Sequence, residues 1–540
     1  MGTRSRGIVG AGVFTAGTVA LTAVLVSCAG DGGGAGSTGT ERPSDGNSAA
    51  SSSPVSAATP AKPSPSKSYA LSKAPQTIPS VREHTPARGP GWRPGSGRVV
   101  VGDAKLADEG RLIADELKLK YAGKVKAGPG DVELALGGSG NPESYTMTVS
   151  GGRVRIVGPG DAGVFYGTRT LKQEVHGGST APEGVVKDAP AKPQRGFMID
   201  IARKNFTAGW IKDRIREIGD LKFNQLGLHF SDDQAFRIQS DSHPEIVSPE
   251  HLTKAQVREI VSLGAQRHVT VVPEIDSPGH LGAVIRAHPD LQLRNASGVP
   301  TRGAVDISNP ESAKIVDDLL REYAPLFPGA FWHLGGDEYQ ALVVKNPEAS
   351  YPQLAAAARK KYGANARVQD LTTGWLNDRA ATMKPFRRDL KAWNDGFFRG
   401  GVVQADKGLE VAYWTGKEIG ARPPEEYLSA GRKLTNYNDE YLYYVLGQPN
   451  TFVYPTGKRI YESWTPRVVR GTTPVPARYD SQILGGTFAV WCDISTAQTQ
   501  AQVAQGIRMP LRATIQKLWD PDKPPLTWTQ FVALAGRLGS

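Results

Sequence analysis

The chain has 540 residues and a net charge of +11, with 39% hydrophobic and 22% charged residues. That length exceeds one ordinary domain, and the apolar share is enough for a real core. Residues 1–94 hold nine Lys/Arg against four Asp/Glu; with no basic stripe and no recognisable nucleic-acid module, the charge does not point to DNA or RNA as a partner.

Residues 1–27 have the layout of a signal peptide, with Arg4 and Arg6 ahead of an apolar stretch from Ile8 to Val26. Leu25-Val26-Ser27-Cys28 resembles the lipobox of bacterial lipoproteins. That resemblance implies cleavage before Cys28, lipid on its sulfur, and a protein exported to the outer side of the cell membrane and held there by its lipid alone. A plain signal peptide or membrane anchor would export it equally. Cys492 is the only other cysteine, so no intrachain disulfide is expected and stability must come from the core. Residues 28–94 are rich in Gly, Ser, Ala, Thr and Pro. Such a segment cannot bury enough surface to offset its ordering entropy, and it reads as a flexible tether.

A small α/β unit is expected over 95–191. Arg98–Gly102 and Val132–Leu136 read as strands, and Ala107–Tyr121 reads as a helix. Tyr145–Ser150 and Arg153–Val157 flank a Gly151-Gly152 hairpin turn, and Asp161–Val175 is a second helix. From 192 to 540 strands and helices alternate. The strands are Phe197–Ile201, Gln225–Phe230, Thr270–Ile275, Phe331–Leu334, Asp389–Trp393, Glu410–Trp414, Lys433–Asn436 and Leu484–Val490. Helical patterns at Trp210–Leu221, Thr253–Gln266 and Glu311–Tyr323 fall between the early ones. Eight strands in this order predict an α/β fold, a (β/α)8 TIM barrel preceded by the small domain. A doubly wound open sheet is disfavoured because no Gly-rich phosphate loop follows the first strand.

In such a barrel the chemistry sits at the carboxyl ends of the strands. The polar residues fall there: Asp200 and Arg203 after the first strand, Asp232, Asp233 and Gln234 after the second, Asp276 and His280 after the third. The fourth strand runs through Gly335 and Gly336 into Asp337 and Glu338. Two adjacent carboxylates cannot easily flank one sugar ring at the 5–5.5 Å separation typical of a retaining pair, so a different division of labour is expected if both act. His229, His280 and His333 raise zinc as a rival, but no tight ligand spacing supports it, and no metal or other cofactor is expected.

At these residues the chain resembles the family 20 glycoside hydrolases, the β-N-acetylhexosaminidases and their lacto-N-biosidase relatives. The matching segments, in order, are Phe165–Gln173, Arg195–Asp200, Lys222–Gln234, Pro273–His280 and His333–Glu338, and the likeness covers roughly 95–540. It implies hydrolysis of terminal β-linked N-acetylhexosamine from oligosaccharides or glycans, with retention and with the substrate's own 2-acetamido oxygen as nucleophile. On that likeness Glu338 is the acid/base, with a pKa near the working pH. Asp337 holds the acetamido N–H, Tyr441 holds its carbonyl, and Asp276 and His280 form a relay toward the acid. Trp393, Trp414 and Trp491 wall the sugar, while Arg195, Gln234, Asp493 and Tyr443 bind hydroxyls. Three positions depart from the common pattern: Ser231 for His, Tyr443 for a carboxylate, and Asp493 for Glu. They keep open a lacto-N-biosidase-like release of a disaccharide. A third reading is a sugar-binding lipoprotein without activity.

Overall fold

The computed structural model describes residues 68–178, 180–417 and 421–539; the signal segment, Cys28 and most of the expected tether lie outside them. The first unit is a seven-stranded sheet. In spatial order its strands are Glu83–Pro86, Gly184–Asp188, Tyr145–Ser150, Arg153–Gly158, Val132–Leu136, Arg98–Val101 and Lys120–Gly123. The hairpin turns through Gly151 and Gly152 with φ of 60° and 70°, the left-handed conformation that favours glycine there.

Two expectations need correction. The tether does not extend to residue 94: Glu83–Pro86 pairs antiparallel with Gly184–Asp188, and Ile78 and Trp92 are buried. Composition argued against folding because the segment has no core of its own, but a sheet edge and two anchoring side chains are enough. The helix expected over Ala107–Tyr121 ends at Leu117, where Lys118 turns left-handed at φ 58°. Lys120–Gly123 then returns as a parallel edge strand beside Arg98–Val101.

The second unit is a closed parallel barrel. Its eight strands are Gln194–Asp200, Gln225–His229, Thr270–Glu274, Phe331–His333, Asp389–Trp393, Glu410–Tyr413, Leu434–Asn436 and Ile483–Trp491. Each pairs with the next, and the eighth pairs with the first. All seven residues of the first strand are buried, as a parallel strand covered on both faces requires. Helices start on side-chain caps: Thr253 with Gln256, Asn309 ahead of Pro310, Thr499 with Gln502. A ninth short strand, Tyr443–Val445, lies parallel to the eighth and outside the barrel count.

Charges and aromatics join the two units. Arg169 is fully buried and reaches Glu116 at 2.7 Å and Asp220 at 2.8 Å, while Trp519 from the last long barrel helix enters the small domain's core. Arg195 belongs to this junction. It starts the first strand, at the end of the barrel opposite the chemistry. Its guanidinium pairs with Glu143 at 2.8 Å, with Tyr166 and the Lys222 carbonyl as further acceptors. The expectation that it binds sugar hydroxyls is therefore corrected. Burial alone would raise the Glu143 carboxyl, but the Arg195 charge holds it below the usual carboxylate range. Arg195→Leu strands that carboxylate, and a loss of about 3–5 kcal/mol in unfolding free energy is expected. Denaturant titration reads that loss, and turnover per folded molecule should stay unchanged.

Candidate active site

The loops after the third and fourth strands meet at the glycine pair. Gly335 has φ 67° and Gly336 φ 101°, and a Cβ on Gly335 would lie 1.8 Å from an Asp276 carboxylate oxygen. Only glycine leaves the space that Asp276 occupies. There Asp276 Oδ1 accepts the Gly336 N–H at 2.7 Å. Beyond the glycines the two adjacent acids diverge. Asp337 is 9% exposed and turns inward; the Glu338 side chain is 38% exposed and faces outward beside His280.

Asp337 and Asp276 form a buried acid pair. Burial raises both carboxyls, and for Asp337 the neighbouring Asp276 charge adds to the rise. Two carboxyls this close share one proton. Of the two, Asp337 is raised the further, and Asp276 behind it is the more readily ionised partner. Asp337 Oδ1, Asp276 Oδ2 and the indole N–H of Trp491 are all buried without a partner among the described residues. Buried polar atoms are rarely left so, and a polar ligand entering here would complete them.

His280 lies between the acids, with Nε2 3.5 Å from Glu338 and 3.8 Å from Asp337. The expected relay is corrected in its partner. Asp276 comes within 4.8 Å of His280 but its Oδ1 accepts the Gly336 N–H. The carboxylate on His280 Nδ1 is Asp232, at 3.3 Å. Burial disfavours the imidazolium, but Asp232 and Asp337 together raise the His280 pKa well above its ordinary value. The hydrogen bond from His280 in turn holds Glu338 below the usual carboxylate range. Glu338 thus rests as a carboxylate, not near a neutral pKa as expected. Giving a proton requires a covering sugar to strip its water and raise it.

The wall is aromatic. Trp393, Tyr437, Tyr443, Val445 and Trp491 cluster with Met198, and Trp414 and Phe452 pack against them. Trp393 donates its indole N–H to Glu274 at 2.6 Å. The Trp414 and Tyr443 rings lie parallel, 5.8 Å apart. The three expected tryptophans are thus brought together. Tyr441 is not with them: it packs in the main core beneath the Arg459 guanidinium, 4.2 Å above its ring. Tyr443 instead is the tyrosine that feels the Asp337 charge. The cause is local: Tyr441 and Leu442 close a turn on the Asn438 carbonyl, and the strand that aims alternate side chains at the pocket begins only at Tyr443. The place beside Asp337 expected for Tyr441 is therefore taken by Tyr443.

On the outer side, Asp493 is exposed at the end of the eighth strand and Gln234 is exposed after the second. The Gln234 carbonyl is held by Arg286 at 2.9 Å. His229 and His333 share Glu274 rather than a metal position. Cys492 is buried, and burial raises its thiol, which suits a filler.

Two residues given no role by sequence reasoning belong here. Arg203 pairs with Asp200 at 3.0 Å and Asp232 at 2.8 Å, and stands over the Trp491 ring. Its place just past the first strand was the available signal. Asp395 had none. Its Oδ2 accepts the backbone N–H of Glu338 at 2.9 Å and its Oδ1 accepts the indole N–H of Trp414 at 2.9 Å. Glu338 sits at φ 47°, a costly conformation for a side-chain-bearing residue, so this bond holds the acid's backbone where it is. Burial pushes the Asp395 carboxyl up to about 7. Asp395→Asn keeps the shape but turns an NH2 toward one of two donors. Steady-state kinetics should show kcat falling about 10- to 100-fold, with the fold intact by circular dichroism.

The chain also matches known proteins. Residues 193–511 match the model of the glycosyl hydrolase family 20 catalytic domain, and 74–189 match domain 2 of that family. Among curated relatives, a lacto-N-biosidase of Bifidobacterium bifidum is 29% identical over 477 residues, covering 86% of this chain and 42% of its own. A β-N-acetylhexosaminidase of Cellulomonas fimi is 33% identical over 266 residues, covering 44% of this chain and 53% of its own. The chain thus spans about half the length, or less, of these relatives. A solved exo-β-N-acetylglucosaminidase of Vibrio harveyi superposes with a TM-score of 0.71 at 19% identity, over 88% of this chain and 79% of that one; at that identity it speaks for the fold alone. The family-model match spans more than half of the chain and takes in every residue of the acid cluster: this chain belongs to glycosyl hydrolase family 20.

Proposed function

We propose that the protein hydrolyses terminal β-linked N-acetylhexosamine with retention, using the substrate's 2-acetamido oxygen as nucleophile. The observation that carries this is the divergence of the two adjacent acids. Asp337 faces inward with Asp276 behind it and Tyr443 nearby, suited to an acetamido group. Glu338 faces outward beside His280, suited to the leaving oxygen. A tethered nucleophile brings the large effective concentration of an intramolecular reactant. The cation that develops in the pocket is stabilised by the negative charge that the Asp337–Asp276 pair keeps.

A second reading is release of a disaccharide. Tyr443 stands where a carboxylate was expected, Asp493 is exposed at the rim, and the longest of these curated matches is to a lacto-N-biosidase. The test uses the full chain in detergent with 4-nitrophenyl N-acetyl-β-glucosaminide, the matching β-glucoside and a 4-nitrophenyl lacto-N-bioside. Turnover of the monosaccharide with acetamido, and not of the glucoside, supports the exo reading. Turnover of the lacto-N-bioside alone moves the assignment to disaccharide release. No turnover of either leaves the non-catalytic sugar-binding reading.

We also propose export as a lipoprotein anchored through Cys28, supported by Arg4, Arg6, the apolar stretch and Leu-Val-Ser-Cys. Labelling with a palmitate analogue in a bacterial host should mark the chain and miss Cys28→Ala. Equal labelling of both would sink the proposal.

A further inference from the structure

We propose that His243, Glu245 and His288 form a binding site for one divalent transition-metal ion of the zinc class, which clips together the loops after the second and third barrel strands. These residues lie apart from the acid cluster, and no step of the reaction proposed above uses them.

The two rings aim at one point. His243 Nδ1 lies 3.0 Å from Glu245 Oε1, and His288 Nε2 lies 2.9 Å from the same oxygen. All three ligand atoms fall within 4.8 Å of one another. A tetrahedral ion with bonds of about 2.0–2.2 Å needs ligand atoms roughly 3.3 Å apart, so only a small adjustment closes the set. The Glu245 side chain is 42% exposed and can draw back to become the third ligand while the ion takes the point the rings face. Water fills the open position. Two imidazoles and one carboxylate favour zinc, cobalt, nickel or copper over magnesium or calcium.

Two further features fit. The far nitrogen of His243, Nε2, lies 3.5 Å from Asp318 Oδ2, and Lys314 holds Asp318 at 2.8 Å. A carboxylate behind a histidine is the usual outer support of a metal ligand. Both histidines also precede a proline and open a short 3-10 turn, Pro244–Ile246 or Pro289–Leu291. Proline restricts the residue before it, and the two backbones are nearly alike: φ −136°, ψ 63° at His243 and φ −128°, ψ 72° at His288. The ligands are thus carried on stiff segments. The first loop also carries Asp232 and Gln234, the second Asp276 and His280, so the ion would fix these two loops relative to each other.

The test is Co2+ titration of the metal-stripped full chain, purified without a histidine tag, followed by visible absorbance and by displacement with Zn2+. Thermal midpoints with Zn2+ and with chelator give a second readout. One Co2+ per chain, with a tetrahedral-type spectrum and a higher midpoint in Zn2+, is expected. His243→Ala and His288→Ala should each weaken binding at least about tenfold and remove the thermal shift. His280→Gln should retain both. Lack of binding below millimolar Co2+, or binding that survives the double histidine variant and is lost in His280→Gln, overturns the proposal; the latter would place the ion at Asp276, His280 and Asp337.

Discussion

Glu338→Gln should lower kcat/KM by about 100- to 10,000-fold, the usual contribution of a positioned acid or base. The loss should be larger for a sugar leaving group, which needs a proton, than for 4-nitrophenolate, which hardly does. The electrostatics around Glu338 add a pH signature. The imidazolium of His280 beside it keeps Glu338 ionised, so the proton the reaction needs is held by the pair rather than by the carboxyl alone. The pair keeps that proton until pH rises through the raised His280 value, and the alkaline limb of kcat/KM should lie there. In His280→Gln the proton depends on Glu338 only. Its carboxyl titrates lower than the imidazolium did, so the alkaline limb should move to lower pH. An unmoved limb would show that His280 does not hold the proton.

Asp337→Ala should cost about 100- to 1,000-fold in kcat, the range seen when one fixed group facing developing charge is removed. The effect should be specific to substrates with the acetamido group, because Asp337 is placed to act on that group. Removing Asp337 also takes away the hydrogen bond that lowers Asp276, so burial raises the remaining carboxyl further and keeps it neutral. One buried carboxyl then remains where two shared a proton, so the variant should not lose stability. Chemical denaturation beside steady-state kinetics separates the two quantities. Equal loss of turnover and of folding would reduce Asp337 to a structural residue.

The eight barrel strands and the helices at Trp210, Thr253 and Glu311 were legible because a parallel strand buried on both faces is written as a short apolar run and an amphipathic helix as a repeating face. The acids were legible for a related reason: a strand end in a barrel is a place in the sequence as well as in space. Arg203 could have been found by the same rule. Arg195 was misplaced because an arginine matched by resemblance beside a strand does not say which end of the barrel it occupies; its carboxylate partner, Glu143, lies in another domain, 52 residues earlier.

Sequence by itself determined the fold class and the places of Asp337, Glu338 and the tryptophans at strand ends, since each depends on residue type and on position along one strand. The tertiary structure alone decided the partnerships. Asp232 rather than Asp276 is hydrogen-bonded to His280, Tyr443 rather than Tyr441 faces Asp337, and Asp395 joins Glu338 to Trp414. Residues 83–86 fold because a distant strand accepts them. Each of these depends on distances between segments tens to hundreds of residues apart, where a few ångströms decide which carboxyl is charged and which carries the proton, and local pattern holds no information about such distances.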